Sequence, residues 1–205
     1  MREPLQGVYA ITDTNQFKNK LLQQVEAALI GGAKILQYRD KSDHKSQRIS
    51  EATALLQLCQ QYKVPLIIND DVELAATVGA DGVHLGRDDT AIQNARAKLG
   101  SEAIIGISCY NDISAALAAE SAGADYVAFG RFFSSSTKPD AAPANIEILR
   151  QASAQISLPL VAIGGITPEN GGQLIEAGAD MLAVVQGIFG QPDIRSATQQ
   201  FQRLF

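Results

Sequence analysis

The sequence predicts a closed (β/α)8 barrel, the fold class of a TIM barrel, and three observations predict it. Short apolar, β-branched runs alternate with longer amphipathic stretches throughout the 205 residues, and strict strand–helix alternation builds parallel βαβ units. The strand-like runs number eight, the count that closes such a barrel. A Gly-Ala-x tripeptide returns before every second run, which suits a barrel whose interior layers draw on alternate strands.

The expected strands are Gly7–Thr12, Ala33–Tyr38, Pro65–Asn69, Gly82–Gly86, Ala103–Ile107, Tyr126–Gly130, Pro159–Gly164 and Met181–Val185. Between them, apolar residues recur at helical spacing, as in Phe17–Ile30, Lys45–Tyr62 and Asp112–Ser121. The budget is about 25 residues per unit, lean but workable with short loops. The repeat reads Gly32-Ala33-Lys34, Gly79-Ala80-Asp81, Gly123-Ala124-Asp125 and Gly178-Ala179-Asp180. There the Gly ends a helix in a left-handed turn and the Ala lets the chain pass close to the barrel. No linker, low-complexity segment or charge run divides the chain, so residues 1–205 read as one domain.

Composition excludes several function classes. A net charge of −5 disfavours nucleic acid, which calls for a basic face, and 6% aromatics without Trp offer no base-stacking platform. No apolar run approaches the roughly 20 residues that cross a bilayer. The N-terminal residues Met1–Gly7 lack a basic and then apolar signal pattern. Cys59 falls in a helical stretch and Cys109 just after a strand, in no metal-binding spacing. Both read as reduced thiols of a cytoplasmic protein.

In a barrel of this kind chemistry sits at the C-terminal ends of the strands. The second strand ends in Gln37-Tyr38-Arg39-Asp40-Lys41, the third in Asn69-Asp70-Asp71, and the fourth leads to Arg87-Asp88-Asp89. The fifth leads to Ser108, and the sixth opens a polar loop containing Ser135-Ser136-Thr137-Lys138. The seventh ends in Gly164-Gly165-Ile166-Thr167 and the eighth in Val185-Gln186-Gly187. Paired glycines after strand seven, with backbone N–H groups after strand eight, make an anion cradle of the kind barrels use for phosphate. Tight βα turns, with Thr167 as N-cap before Pro168, account for the same residues without a ligand.

Asp70 and Asp89 place two carboxylates at adjacent strand ends. They would repel a phosphate unless Mg²⁺ lay between them. Helix capping is the competing use, with Asp70 and Glu73 forming a capping box and Asp89 an N-cap. Arg39 and Lys41 share a parity that turns both toward the mouth, and Lys138 adds a third cation. An anion site beside the metal pair, separate from the glycine cradle, implies transfer between two substrates. His84, inside a strand, reads as packing, and His44 as an exposed residue at a helix start. No nucleophile–base pair is evident, so covalent catalysis is not expected.

At these residues the sequence resembles the thiamine phosphate synthase family, also called thiamine-phosphate pyrophosphorylase. The matches run from Tyr9-Ala10-Ile11-Thr12 to Ile188-Phe189-Gly190. Between them, in order, stand Gln37-x-Arg39-x-Lys41, Leu66-Ile67-Ile68-Asn69-Asp70-Asp71, Asp81-Gly82-Val83-His84-Leu85-Gly86 with Asp89, Thr137-Lys138-Pro139 and Gly164-Gly165-Ile166-Thr167. The resemblance implies that Gln37, Tyr38, Arg39, Asp40, Lys41, Asn69, Ser108 and Lys138 hold a hydroxymethylpyrimidine diphosphate. It implies Mg²⁺ on Asp70 and Asp89, and a thiazole phosphate on Ser135, Ser136, Thr137, Gly165, Val185 and Gln186.

Arg39, Lys41, Lys138 and Ser108 are then the catalytic residues of a dissociative transfer, in which diphosphate leaves before the thiazole nitrogen attacks. Two positions depart from the family pattern: Ser136, where many members carry Glu, and Gln186, where many carry Ser. Contact with phosphate at position 186 is therefore expected through the backbone. A related thiazole tautomerase on the same barrel would not need both aspartates with Arg39, Lys41 and Lys138. A phosphate sensor without activity would not need the metal pair. The partners expected are small molecules, with room for a homo-oligomer.

Overall fold

The computed structural model describes residues 5–13, 20–86, 89–134 and 143–205, with the backbone alone at 89–91. The strands are β1 (Gly7–Ile11), β2 (Ile35–Tyr38), β3 (Leu66–Asn69), β4 (Gly82–Leu85), β5 (Ile104–Tyr110), β6 (Tyr126–Gly130), β7 (Leu160–Ile163) and β8 (Met181–Val184). The helices are α1 (Leu21–Ile30), α2 (Lys45–Tyr62), α3 (Val72–Val78), α4 (Asp89–Leu99), α5 (Ile113–Ser121), α6 (Glu147–Gln155), α7 (Pro168–Glu176), α8 (Gln186–Phe189) and α9 (Ile194–Gln202). The strands pair in sequence order into a closed barrel. Its seam is the parallel pairing of β1 with β8, from Gly7 opposite Met181 to Ala10 opposite Val184.

Strand alternation sorts the side chains into two cores. Outward residues such as Val8, Leu36, Ile68, Val83, Ile105, Val127 and Leu182 pack with the helices in one buried cluster. Inward residues, among them Tyr9, Ile35, Ile67, Ile104, Tyr126, Val161 and Met181, form a second cluster inside the barrel. Side-chain size falls toward the C-terminal ends, from Tyr126 to Ala128 on β6 and from Met181 to Ala183 on β8. That taper leaves the barrel mouth open above a filled floor.

The glycines of the Gly-Ala-x repeat adopt positive φ, from +74° at Gly79 to +110° at Gly178. Each helix thus ends at a turn that L side chains resist. The third repeat position has a duty of its own. Asp81 Oδ2 accepts the Leu66 N–H, Asp125 Oδ2 that of Ile105, and Asp180 Oδ2 that of Leu160, each at 2.8 Å. Each aspartate pins the entry of a neighbouring strand at the N-terminal rim, opposite the mouth. The repeat is a stability device on the face that carries no chemistry.

The expected elements stand within a few residues, with three corrections. Helix α1 begins at Leu21, and the part of the expected helix before residue 20 lies outside the described residues. Strand β5 runs on to Tyr110, with a register shift between Ser108 and Tyr110. Cys109 is therefore buried within the strand, not after it, and like Cys59 it belongs to no disulfide. Among the described residues no helix is long and apolar enough to cross a membrane.

Candidate active site

The mouth opens on a cavity of about 540 Å³. Its wall is built from strand ends, and its floor is the inner layer of Tyr9, Ile11, Ala128, Val161 and Ala183. Of the residues expected at a site, Gln37, Arg39, Asn69, Asp70, Ser108, Gly165, Val185 and Gln186 line it.

Strand β2 contributes by alternation. Gln37 points inward, is 2% exposed, and donates from Nε2 to the Tyr9 hydroxyl at 2.7 Å. Arg39, two residues on, lines the cavity, its Nη1 3.9 Å from Asp13 Oδ1 and its backbone N–H donating to Thr12 Oγ1 at 3.0 Å. Tyr38 has the opposite parity and turns away. Its hydroxyl donates to Glu51 Oε2 at 2.7 Å and lies 3.2 Å from Asp40 Oδ2, in the outer layer beneath α2. Asp40 is likewise used locally, with Oδ1 accepting the Ser42 N–H at 2.7 Å. The side chains of Tyr38 and Asp40 thus turn away from the cavity, because strand alternation sends them to the other side, and a substrate contact at these two positions would come through the backbone.

The Asp70–Asp71 pair departs from the expected capping pattern. Asp71 is the N-cap of α3, its Oδ1 accepting the Leu74 N–H at 2.9 Å, and its Oδ2 pairs with Arg48 at 2.8 Å. Asp70 precedes the cap with φ of +61° and lines the cavity. Its Oδ2 accepts from Lys41 Nζ at 2.5 Å, with both side chains about half exposed. Lys41 therefore stands at the cavity edge, while Asp70 is spared the capping duty that the sequence offered it. Asp89 is the first residue of α4, but its side chain lies outside the described residues. So do Ser135, Ser136, Thr137 and Lys138. Among the described residues no cluster of three or more His, Cys, Asp or Glu gathers for a metal. A Mg²⁺ held by one or two carboxylates and substrate phosphates needs no such cluster, and Asp70, uncapped and facing the cavity, is a suitable hard ligand.

Across the mouth, the backbone after β7 and β8 supplies a different surface. Gly165 has φ of +63°, and a Cβ there would lie 2.3 Å from the Ser134 carbonyl oxygen, so only glycine fits. Thr167 caps α7 and Pro168 begins it, with Asn170 Oδ1 accepting the Thr167 N–H at 2.8 Å. The Gln186 side-chain oxygen rests against Gly190, where a Cβ would come within 2.5 Å of it. Gln186 thus folds back on its own turn.

His84 carries more than packing. It stacks on Tyr126 with ring centroids 5.6 Å apart, as a packed residue would, yet it also lines the cavity. Its Nε2 is 2.8 Å from Ser108 Oγ and its Nδ1 2.9 Å from the Tyr126 hydroxyl. Tyr9, Tyr110 and Arg131 also line the cavity and were not among the expected site residues. Alternation and position after a strand were the available signals, and a strand tyrosine reads first as a β former.

Comparison with known proteins finds relatives along nearly the whole chain. A family model described as thiamine monophosphate synthase matches residues 8–188. A thiamine-phosphate synthase of Nitrosococcus oceani is 54% identical, over 100% of this chain and 95% of its own length. One from Thiobacillus denitrificans is 53% identical, over 97% and 94%. The solved structure of a thiamine phosphate pyrophosphorylase from Pyrococcus furiosus superposes with a TM-score of 0.88 at 34% identity, covering 97% of this chain and 95% of that one.

Proposed function

The chain belongs to the thiamine monophosphate synthase family, a family of transferases, and from that premise we propose how its cavity does the transfer. The reaction joins 4-amino-2-methyl-5-(diphosphooxymethyl)pyrimidine to a thiazole phosphate, giving thiamine monophosphate and diphosphate. The observation that supports this reading is that one cavity carries two separate polar edges, each of a chemistry suited to an anion. Arg39, Asn69 and Asp70, with Lys41 at the rim, form one edge; the backbone at Gly165, Val185 and Gln186 forms the other. An apolar patch of Ile11, Val161 and Ala183 lies between them.

In the first step the methylene C–O bond breaks and its electron pair leaves with the diphosphate. Arg39, Lys41 and Lys138 oppose the charge that grows on the departing oxygens. Mg²⁺ held by Asp70 and Asp89 would add a fixed positive charge against the same group. Gln37, Asn69 and Ser108 orient the pyrimidine, whose ring delocalises the methylene cation. Ile11, Val161 and Ala183 keep water from the cation until the thiazole nitrogen attacks. The backbone N–H groups beyond β7 and β8 hold the thiazole phosphate, with Ser135, Ser136 and Thr137 from the β6 loop beside it. A carboxylated thiazole additionally releases carbon dioxide.

The test is formation of thiamine monophosphate by the wild type, Asp70→Ala and Asp89→Ala with Mg²⁺ present. Loss on the order of a hundredfold or more in both folded variants is expected, the scale for removing a group that stabilises developing charge. Near-normal turnover in folded Asp89→Ala would leave Asp89 a helix-start residue with no part in holding a metal.

A further inference from the structure

Five polar side chains from five strands form one unbroken hydrogen-bonded line across the barrel floor. Gln37 on β2 donates from Nε2 to the Tyr9 hydroxyl on β1 at 2.7 Å. The Tyr9 and Tyr126 hydroxyls are 2.7 Å apart, and Tyr126 on β6 is 2.9 Å from His84 Nδ1 on β4. His84 Nε2 is 2.8 Å from Ser108 Oγ on β5. Both ends of the line, Gln37 and Ser108, line the cavity.

The rings in between are held in place. Tyr9 meets Tyr126 edge-on at 83°, and His84 lies nearly parallel to Tyr126 at 21°. Residue 106 must be glycine, since a Cβ there would lie 1.9 Å from Tyr126 Cζ.

Such a line has a direction, because each hydroxyl owns a single proton. Burial raises the pKa of both Tyr9 and Tyr126, so both remain phenols. Tyr9 accepts from Gln37, so its own proton goes to Tyr126. The Tyr126 proton is then committed to His84 Nδ1. An imidazole that accepts at Nδ1 is neutral and carries its proton on Nε2, which donates to Ser108. The Ser108 proton is left for the cavity. Were Gln37 to present its carbonyl oxygen to Tyr9 instead, every donor in the line would reverse, and Ser108 would meet the cavity as an acceptor.

We propose that Gln37 sets the Nε2–H tautomer of His84 through Tyr9 and Tyr126, and thereby presents the Ser108 hydroxyl to the pyrimidine as a donor. Tyr9, Tyr126 and His84 are positioning residues in this scheme. The tautomer stands independently of function, while the pyrimidine as recipient rests on the reading given under the proposed function. A ring that offers an acceptor atom to Ser108 is favoured over its analogue with a protonated nitrogen there, which would leave the Ser108 proton without that acceptor.

The chain has two histidines, so His44→Gln leaves His84 alone for observation in ¹⁵N-histidine-labelled protein. Two-bond ¹H–¹⁵N correlation reads its tautomer directly. The expected wild-type state is neutral with the proton on Nε2. Gln37→Glu, whose carboxylate only accepts, is expected to reverse the line and move the proton to Nδ1. Tyr126→Phe cuts the line and is expected to shift the tautomer ratio by roughly tenfold, the scale of one buried hydrogen bond. Tyr9→Phe cuts it one residue earlier and serves if Tyr126→Phe unfolds. An Nδ1–H or cationic wild type, or Nε2–H persisting unchanged in Gln37→Glu, would overturn the proposal.

Kinetics test the recipient separately. Tyr126→Phe should raise KM for the pyrimidine diphosphate several-fold and leave KM for the thiazole phosphate unchanged. Equal change in both would overturn the pyrimidine assignment while the spectra still decide the tautomer.

Discussion

Lys41 Nζ stands 2.5 Å from Asp70 Oδ2 at the cavity edge, while the next residue, Asp71, turns the other way to cap α3 and hold Arg48. Adjacent carboxylates therefore serve different ends, and single substitutions separate them. Asp71→Ala removes a cap worth about 0.5–2 kcal/mol and leaves the Arg48 guanidinium, whose Nε already lacks a hydrogen-bond partner, without its carboxylate. Urea denaturation should show that loss, with kcat of the remaining folded enzyme close to wild type. Asp70→Asn, which keeps a side chain suited to the left-handed φ of +61° there, should do the opposite, with stability within about 1 kcal/mol and turnover largely lost. The reverse pattern would transfer the functional role to Asp71.

Arg39 lines the cavity beside Asp13, with 16% of its side chain exposed. Arg39→Lys keeps the charge but loses the planar fork that grips two phosphate oxygens together. A fall in kcat/KM of about tenfold or more is expected, with unchanged circular dichroism. Equal kinetics would make Arg39 a diffuse charge.

Gly165→Asp puts a side chain where a Cβ already lies 2.3 Å from the Ser134 carbonyl, and adds negative charge at the proposed phosphate cradle. Steady-state kinetics with varied thiazole phosphate should show a large rise in KM. Gln186→Ser should leave that KM within about threefold, since the cradle works through backbone N–H groups. A large effect at Gln186 would mean that its side chain binds phosphate directly.

Burial, with a smaller contribution from Asp81, pushes the Cys59 thiol from its ordinary 9.0 up to about 12. Below pH 9 both folded and unfolded chains keep the proton, so the group leaves stability unchanged. Above it the unfolded thiol ionises first, and stability falls as pH rises toward the folded value. Denaturation at pH 8 and pH 10 should show a smaller decline in Cys59→Ala than in the wild type. Identical declines would show that Cys59 ionises as readily folded as unfolded.

Local patterns carried the barrel. Alternating runs placed the strands, and the glycine repeat marked the turns before four of them. Strand parity brought Gln37 and Arg39 to the cavity, and the same rule, applied one residue further, would have turned Tyr38 away. The extension of β5 to Tyr110 was hidden because a register shift does not alter composition. The cap fell to Asp71 because α3 starts one residue later than the Asp70–Glu73 spacing suggested. The floor line was beyond reach, since Tyr9 and Tyr126 are 117 residues apart in sequence and meet only when the barrel closes.

The most direct test of the central claim is the rate of diphosphate release from the pyrimidine diphosphate, with each component omitted in turn. With the thiazole phosphate and Mg²⁺ both present, release should proceed in step with thiamine monophosphate formation, one for one. Omission of either should leave sustained release near background. Equal release without the thiazole phosphate would make the protein a diphosphate hydrolase, and no release in the complete mixture would contradict the account.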